Sequence, residues 1–106
     1  MNKLTIIGNL TRDPEMRTTT TGNSVCEFSV AANRRKKVEG QPDADFFRVT
    51  AWDALGENCG RYLTKGKKVC VIGPVSLNTY TKSDGTGGAS LEVLANEVEF
   101  LSPRDE

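Results

Sequence analysis

Apolar and polar residues alternate with the two-residue period of a β-strand in five parts of the chain. In the second part, Cys26, Phe28 and Val30 share one face, and mostly polar or small residues occupy the other. The five predicted strands cover residues 3–10, 24–33, 46–52, 68–82 and 91–100. We expect an interruption at Gly8-Asn9 in the first strand, followed by a turn-rich segment over residues 11–23.

Two of the predicted strands contain an irregularity. Pro74 has no N–H to donate to a neighbouring strand, so we expect segment 68–82 to bulge or bend at Gly73-Pro74. In the last strand the apolar residues shift from odd to even positions, and a bulge near Ala95-Asn96 would return them to one face. Glycines over residues 81–88 predict a flexible hairpin tip.

Helical spacing replaces the strand period between the third and fourth strands. Asp53 is the predicted N-cap, and the helix is expected to run to Lys65, where Gly66 can adopt the left-handed C-terminal cap. The apolar residues at helical spacing are Leu55, Cys59, Tyr62 and Leu63. Five strands, with one short helix between strands 3 and 4, have the element order of an all-β, partly open Greek-key barrel of the OB type.

The third strand, residues 46–52, has two chemically different faces. One is apolar and predicted to face the core: Phe47, Val49 and Ala51. The other alternates aromatic rings with polar groups: Phe46, Arg48, Thr50 and Trp52. A strand covered on both faces would explain the aromatics, but a buried Arg48 would need a carboxylate that the local sequence does not supply. An exposed surface for nucleic acid is the alternative, because bases stack on aromatic rings and phosphates pair with guanidinium groups.

Length and charge limit the classes of protein to consider. At 106 residues, of which 37% are hydrophobic, the chain is expected to form a single domain over residues 1–106. Its 14 basic and 14 acidic residues cancel, so any positive field must be local. Basic clusters occur over residues 34–37 and at Lys65, Lys67 and Lys68, although solvated loops alone would account for both.

Catalysis and metal binding have little support in the sequence. There is no histidine and no Cys-x-x-Cys pair, so a structural zinc site lacks ligands and no cofactor is expected. The chain has no Gly-x-Ser-x-Gly motif and no phosphate-binding glycine-rich loop, which makes an enzyme the weakest interpretation. Cys26 and Cys70 are predicted to fill space in the core and fit a reducing cytosol. No apolar segment is long enough for a signal peptide or a membrane span.

Tyr80 is a third aromatic residue out of phase with the apolar core positions. It shares its phase with Ser76 and Asn78, opposite Val75 and Leu77, and is therefore expected to point outward. A packed ring with a solvated hydroxyl is an equally good interpretation of Tyr80. Three stacking surfaces without base-specific contacts favour the binding of single strands regardless of their sequence.

Taken together, these residues resemble the bacterial single-stranded DNA-binding protein family, whose core is an OB fold. The similarity covers nearly the whole chain in order and spacing. Its pieces are Asn2-Lys3, Ile7-Gly8-Asn9-Leu10, Asp13-Pro14-Glu15, Arg17, Phe28-Ser29-Val30-Ala31, Phe47-Arg48-Val49, Tyr62-Leu63, Lys65-Gly66 and Tyr80. The resemblance implies a non-enzymatic protein that binds single-stranded DNA during replication, recombination and repair, in the cytoplasm and associated with the nucleoid.

The resemblance also implies roles for individual residues. Phe46, Trp52 and Tyr80 would stack on bases, and Arg48 and Lys65 would contact the DNA backbone. Weaker candidates for phosphate contact, from their place in basic regions, are Lys3, Arg17, Arg34, Arg35 and Lys36. A homotetramer is implied, in which the first strands of two chains pair across a dimer interface, and a homodimer is the alternative.

The chain departs from the family pattern in three places. Residues 34–37 offer charge but no aromatic ring. Ser76 and Asn78 stand where relatives often have basic residues, so we expect a shallower salt dependence of binding. The sequence stops at residues 102–106 without the acidic-tipped tail common in the family, and partners recruited by such a tail are therefore not inferred.

Three other interpretations are consistent with the sequence. A primosomal or accessory OB-fold protein would also bind single strands, as a stable dimer. A protein-interaction module would use Phe46 and Trp52 as a partner-binding patch and respond little to salt. An OB domain directed to RNA would show the same pattern, because no residue reads the 2′-hydroxyl decisively.

Overall fold

A computed structural model describes residues 1–103 of the chain. Within that range the chain forms eight strands and one helix. They are β1 (Leu4–Leu10), β2 (Glu15–Thr18), β3 (Ser24–Asn33), β4 (Ala44–Trp52), α1 (Asp53–Tyr62), β5 (Lys68–Gly73), β6 (Val75–Thr81), β7 (Gly87–Leu94) and β8 (Glu97–Phe100). The expectation about an acidic tail concerns in part residues 104–106, which lie outside the described residues.

The strands belong to one sheet in the order β6-β7-β4-β3-β1-β5-β8, and β2 also pairs with β3. All of these pairs are antiparallel except β4 with β7. Because β5 continues into β6 and β7 into β8, the chain connects the two ends of the sheet order, as in a partly open OB barrel. The predicted fold class is confirmed, with the five strands represented by β1, β3, β4, β5–β6 and β7–β8.

The two predicted irregularities lie side by side and form one corner of the sheet, which consists of Gly73-Pro74 and Ala95-Asn96. β5 and β6 are separated at Pro74, and β7 and β8 are separated at Ala95-Asn96. The Leu94 N–H donates to the Pro74 carbonyl (3.1 Å), and the Asn96 N–H donates to the Ile72 carbonyl (2.8 Å). Gly73 is required there, because the Leu94 carbonyl occupies the space that a side chain would need.

The core lies among β1, β3, β4, β5, α1 and the end of β7 at Val93. Its most buried side chains are Val25, Val30, Val49, Val69, Val71, Val93, Cys26 and Cys59. Cys26 and Cys70 are both buried free thiols, which confirms their prediction as core residues. Burial raises the pKa of Cys26 to about 11 and that of Cys59 to about 12, so both thiols stay protonated at neutral pH.

Two predictions about the first part of the chain are wrong. The turn-rich segment 11–23 contains the strand β2, whose four residues are all exposed, so its sequence shows no apolar alternation. The first strand is not interrupted at Gly8-Asn9 but continues to Leu10. Gly8 allows close contact between strands instead, because a side chain there would overlap the Ala31 carbonyl.

The start of α1 also differs from the prediction. Asp53 is the first residue of the helix, and the N-cap is Trp52, which makes no side-chain capping bond. Asp53 has φ of 53°, a left-handed conformation that Asp tolerates better than most residues. This backbone geometry follows from the direct passage of β4 into α1 without a loop.

The helix ends three residues before the predicted boundary at Lys65. Its last residue is Tyr62, and Leu63 takes an extended conformation that buries its side chain. Gly66 does have a positive φ of 88°, but in the turn beyond the helix, where its N–H donates to the Leu10 carbonyl (2.9 Å). Leu63 continued the helical apolar spacing in the sequence, which made the predicted helix too long.

Candidate nucleic-acid interface

The third predicted strand, β4, has the two faces that its alternation indicates. Val49 and Ala51 are buried, and Phe47 packs against the core while partly exposed. On the other side, Phe46 is 60% exposed and Trp52 is 39% exposed. The structure thus places these two aromatics at the surface.

Tyr80 lies on the same face, two strands away. Along the ladders, Arg48 of β4 is opposite Glu92 of β7, which in turn is opposite Ser76 of β6. Because opposite residues share a face, and alternate residues along a strand do too, Tyr80 faces the same way as Phe46. We call the outward side of β4, β7 and β6 the aromatic face.

The strand directions set the order of the aromatic rings. β6 runs antiparallel to β7 and β7 parallel to β4, so Tyr80 lies beyond Phe46, at the opposite end from Trp52. Tyr80 is about eight residues from Trp52 along the strand direction, which corresponds to roughly 26 Å. The aromatic face is therefore an elongated track rather than a compact patch.

Tyr80 combines the two interpretations left open by the sequence. Its side chain is 47% exposed, but the ring also covers Gly88, its partner across the β6–β7 ladder. A Cβ at Gly88 would lie 2.5 Å from a Tyr80 ring carbon, so any other residue at this position would displace the ring. One side of Tyr80 is packed, and the exposed part of the ring remains accessible to a stacked base.

Arg48 has a carboxylate partner that the local sequence did not reveal. Its Nη2 lies 3.8 Å from Oε2 of Glu27 on the neighbouring strand β3. The other oxygen of Glu27 accepts a hydrogen bond from Nε of Arg17 on β2, at 2.7 Å. Arg48 nevertheless keeps 58% of its side chain exposed, so the aromatic face is not a second buried side of β4.

The basic loop after β3 is partly neutralised by its own acidic residues. Arg34 donates through Nε and Nη2 to Oδ1 of Asp45, at 3.2 and 2.8 Å, and this hydrogen bonding raises the pKa of the Arg34 guanidinium. Lys37 lies 4.0 Å from Asp43. Arg35 and Lys36 are exposed in the same loop, next to the Phe46 end of the track.

Lys65 and Lys3 lie at opposite ends of β1. The backbone N–H of Lys65 donates to Oδ1 of Asp13 (2.8 Å), and its side chain is exposed. Lys3 follows Asn2, whose side chain exchanges two hydrogen bonds with the backbone of Val75. Neither lysine belongs to β4, β6 or β7, so the structure does not bring them into the aromatic face itself.

A groove of about 290 Å³ borders the aromatic face and contains a basic residue that the sequence analysis missed. Arg12 lines this groove together with Arg48 and Ser29. The sequence offered one sign of its role, which is the position of Arg12 directly before the Asp13-Pro14 turn. It belongs to no strand or basic cluster, so periodicity and charge patterns did not reveal it. The remaining lining residues are Asp13, Glu15, Glu27 and Phe28.

Residues 1–101 match the Single-strand binding protein family. The chain belongs to this family. The resemblance inferred from sequence motifs is therefore confirmed over nearly the whole chain.

Members of the family with similar sequences are named single-stranded DNA-binding proteins. Single-stranded DNA-binding protein 3 of Clostridium acetobutylicum is 42% identical over 102 residues, which cover 95% of this chain and 71% of the relative. Single-stranded DNA-binding protein 1 of the same organism is 41% identical over 108 residues, covering 100% and 98%. Single-stranded DNA-binding protein 1 of Staphylococcus aureus is 35% identical over 106 residues, covering 99% and 68%.

The part of the chain that the structure describes shows no grouping of three or more His, Cys, Asp or Glu side chains that could hold a metal ion. Over the same residues, the one helix is too short and too polar to cross a membrane. For this member of the single-strand binding protein family, the aromatic face and its bordering groove are thus the candidate site.

Proposed function

We propose that this protein binds single-stranded DNA without sequence preference, as a non-enzymatic factor that protects strands during replication, recombination and repair. The proposal rests chiefly on the alignment of Phe46, Trp52 and Tyr80 along one outward track. Stacking on each ring is worth about 1–3 kcal/mol and tolerates any base. The names of the relatives support the same ligand.

In this proposal the basic residues contact the DNA backbone. Arg48 lies within the track, Arg34, Arg35 and Lys36 lie at its Phe46 end, and Arg12 lines the bordering groove. Outside the track, phosphate contacts are proposed for three further basic residues: Lys3, Arg17 and Lys65. We further propose that the protein acts in the cytoplasm, in association with the nucleoid.

A fluorescence titration tests the proposal directly. Trp52 is the only tryptophan, so its emission reports on one stacking residue. We expect oligo-dT to quench this emission and the affinity to fall as salt rises. Unchanged emission at saturating oligo-dT and low salt would exclude the proposed function, and equal binding of oligo-U would shift it toward RNA.

A matched pair of variants locates the interface. Trp52→Ala should weaken binding of labelled oligo-dT, measured by anisotropy, by about 1–3 kcal/mol. Phe100→Ala is the control, because Phe100 is also 39% exposed but lies on β8, outside the aromatic face. Equal losses from both substitutions would argue against the aromatic face as the binding surface.

We also propose that the protein forms a homotetramer, built from dimers in which two β1 strands pair. The ladder between β1 and β3 includes only Asn9 and Leu10 of β1, so the side of Leu4–Gly8 that faces away from β5 has no strand partner within residues 1–103. Ile7, in this stretch, is 52% exposed. An open strand edge with an exposed apolar residue favours pairing with a second chain.

Mass measurement by light scattering tests the assembly. We expect a mass four times that of the chain, and a smaller species for Ile7→Glu. A stable dimer of the unsubstituted protein would instead favour an accessory OB-fold role. A monomer at micromolar concentration would exclude both assemblies.

A further inference from the structure

Glu27 lines the groove beside the aromatic face, where a carboxylate is unexpected because it would repel the phosphates of the proposed DNA ligand. It lies on β3, opposite Thr50 of β4 on one side and Glu15 of β2 on the other. Its side chain remains 31% exposed. Like charges directly opposite each other in a ladder are unfavourable, so the pair with Glu15 needs a compensating charge nearby.

Two arginines supply that compensation, one from each neighbouring strand. Arg17 reaches Oε1 of Glu27 from β2 at 2.7 Å, and Arg48 reaches Oε2 from β4 at 3.8 Å. Each carboxylate oxygen therefore engages a different guanidinium group. We call this arrangement of Arg17, Glu27 and Arg48 the arginine clasp.

The groove beside the clasp is not positive overall. Its charged lining consists of Arg12, Arg48, Asp13, Glu15 and Glu27, so the acidic residues outnumber the basic ones. A phosphate that approaches the clasp meets two guanidinium groups already engaged by a tethered carboxylate. Moving both arginines to phosphates would leave Glu27 without its partners beside a second negative charge.

We propose that Glu27 competes with DNA phosphates for Arg17 and Arg48 and thereby limits both the affinity and the salt dependence of DNA binding. This inference rests on the proposed single-stranded DNA binding. Glu27 weakens the contacts of the two guanidinium groups with phosphates, so fewer counterions are released when DNA binds. The residue adjusts how tightly strands are held and does not itself contact the bases.

The substitution Glu27→Gln tests the clasp while preserving the size of the side chain. We expect oligo-dT to bind about fivefold more tightly at low salt. The slope of log affinity against log salt should become steeper by about 0.7 for each additional phosphate that an arginine neutralises. Glu99→Gln is the control for net charge, because Glu99 lies on β8, three strands from β3 in the sheet order.

A second substitution tests the mechanism rather than the charge. Arg17→Gln should weaken oligo-dT binding less in the unsubstituted protein, where Glu27 holds Arg17, than in the Glu27→Gln background. In the Glu27→Gln background the same substitution should remove much of the increase in affinity and part of the steeper slope. Circular dichroism melts confirm that each variant is folded at the temperature of the titration.

The outcomes separate this inference from the proposed function. If the unsubstituted protein does not bind oligo-dT, the proposed function itself fails. If it binds but Glu27→Gln behaves like Glu99→Gln, or binds more weakly, the clasp does not compete with DNA and the inference is overturned. Equal effects of Arg17→Gln in both backgrounds would also overturn it.

Discussion

The two halves of one long extended segment differ sharply on either side of Pro74. β5 is buried at four of its six positions, whereas β6 has no fully buried residue. β5 belongs to the barrel body, which we define as β1, β3, β4, β5 and α1. β6 and β7 form a hairpin. Its base is joined to the body, because Leu91–Leu94 of β7 pair with β4 and Val93 is buried, and its outer part extends beyond β4 and carries Tyr80.

The hairpin therefore contributes little to the core and adds Tyr80 to a proposed ligand surface whose other aromatics, Phe46 and Trp52, lie on β4 of the body. The body is stabilised by buried valines and by close strand contacts at Gly8 and Gly73. The hairpin is stabilised by its ladder and by its turn, where Thr86 donates to Asp84 through both its N–H and its hydroxyl group. Substitutions in the core of the body should therefore change the free energy of unfolding, whereas substitutions near Tyr80 in the hairpin should change the affinity for oligo-dT.

The largest effect is expected at the corner of the body. Gly73→Ala places a methyl group against the Leu94 carbonyl and should lower the free energy of unfolding by about 3 kcal/mol or more. Gly87→Ala is the control in the hairpin, because nothing lies within 4 Å of the position of its Cβ. Urea unfolding of both variants measures the difference, and similar midpoints would mean that the corner relaxes freely.

The second effect should appear in the affinity for oligo-dT and not in the stability of the fold. Tyr80→Ala should cost about 1–3 kcal/mol of oligo-dT binding, and Gly88→Ala should reproduce part of that loss by displacing the Tyr80 ring. Gly87→Ala again provides the control. Anisotropy titrations and thermal melts are both needed, since a large fall in melting temperature would assign Tyr80 to the body instead.

A smaller effect should appear at alkaline pH and only in the body. The pKa values of Cys26 and Cys59 are raised from 9.0 to about 11 and about 12, chiefly by burial. The unfolded thiols ionise first, so their contribution to stability is complete below pH 9 and declines as the pH rises toward 11 or 12. The urea midpoint should fall between pH 8 and pH 10, and less so in Cys26→Ala/Cys59→Ala.

The smallest effect is expected at the junction of β4 and α1. Asp53→Gly relieves a left-handed φ of 53° at the cost of a more flexible unfolded chain, so we expect a gain of about 0.5 kcal/mol. Ala54→Gly, at the next residue of the helix, should lose about 0.5–1 kcal/mol. Thermal melts of the pair test the strain, and losses in both variants would show that Asp53 carries none.

Sequence reasoning succeeded where periodicity and single residues determine the structure. The alternation of Phe46 to Trp52 determines both faces of β4, and Pro74 alone is enough to interrupt a strand. It failed at β2, because four exposed residues leave no pattern, and at Asp53, where the backbone path sets the helix start. The clasp was invisible because Arg17, Glu27 and Arg48 meet only once the strand register is known.

The corner at Gly73-Pro74 and Ala95-Asn96 sets the direction in which β6 leaves the barrel body. Tyr80 lies six residues beyond Pro74, so the hairpin is an arm of roughly 20 Å. A difference of about 10° in this direction corresponds to about 3.5 Å at the Tyr80 ring, close to the ~3.4 Å spacing of stacked bases. In the proposed interface, four residues outside the aromatic face would therefore help to set the spacing between Tyr80 and Phe46 relative to the bases.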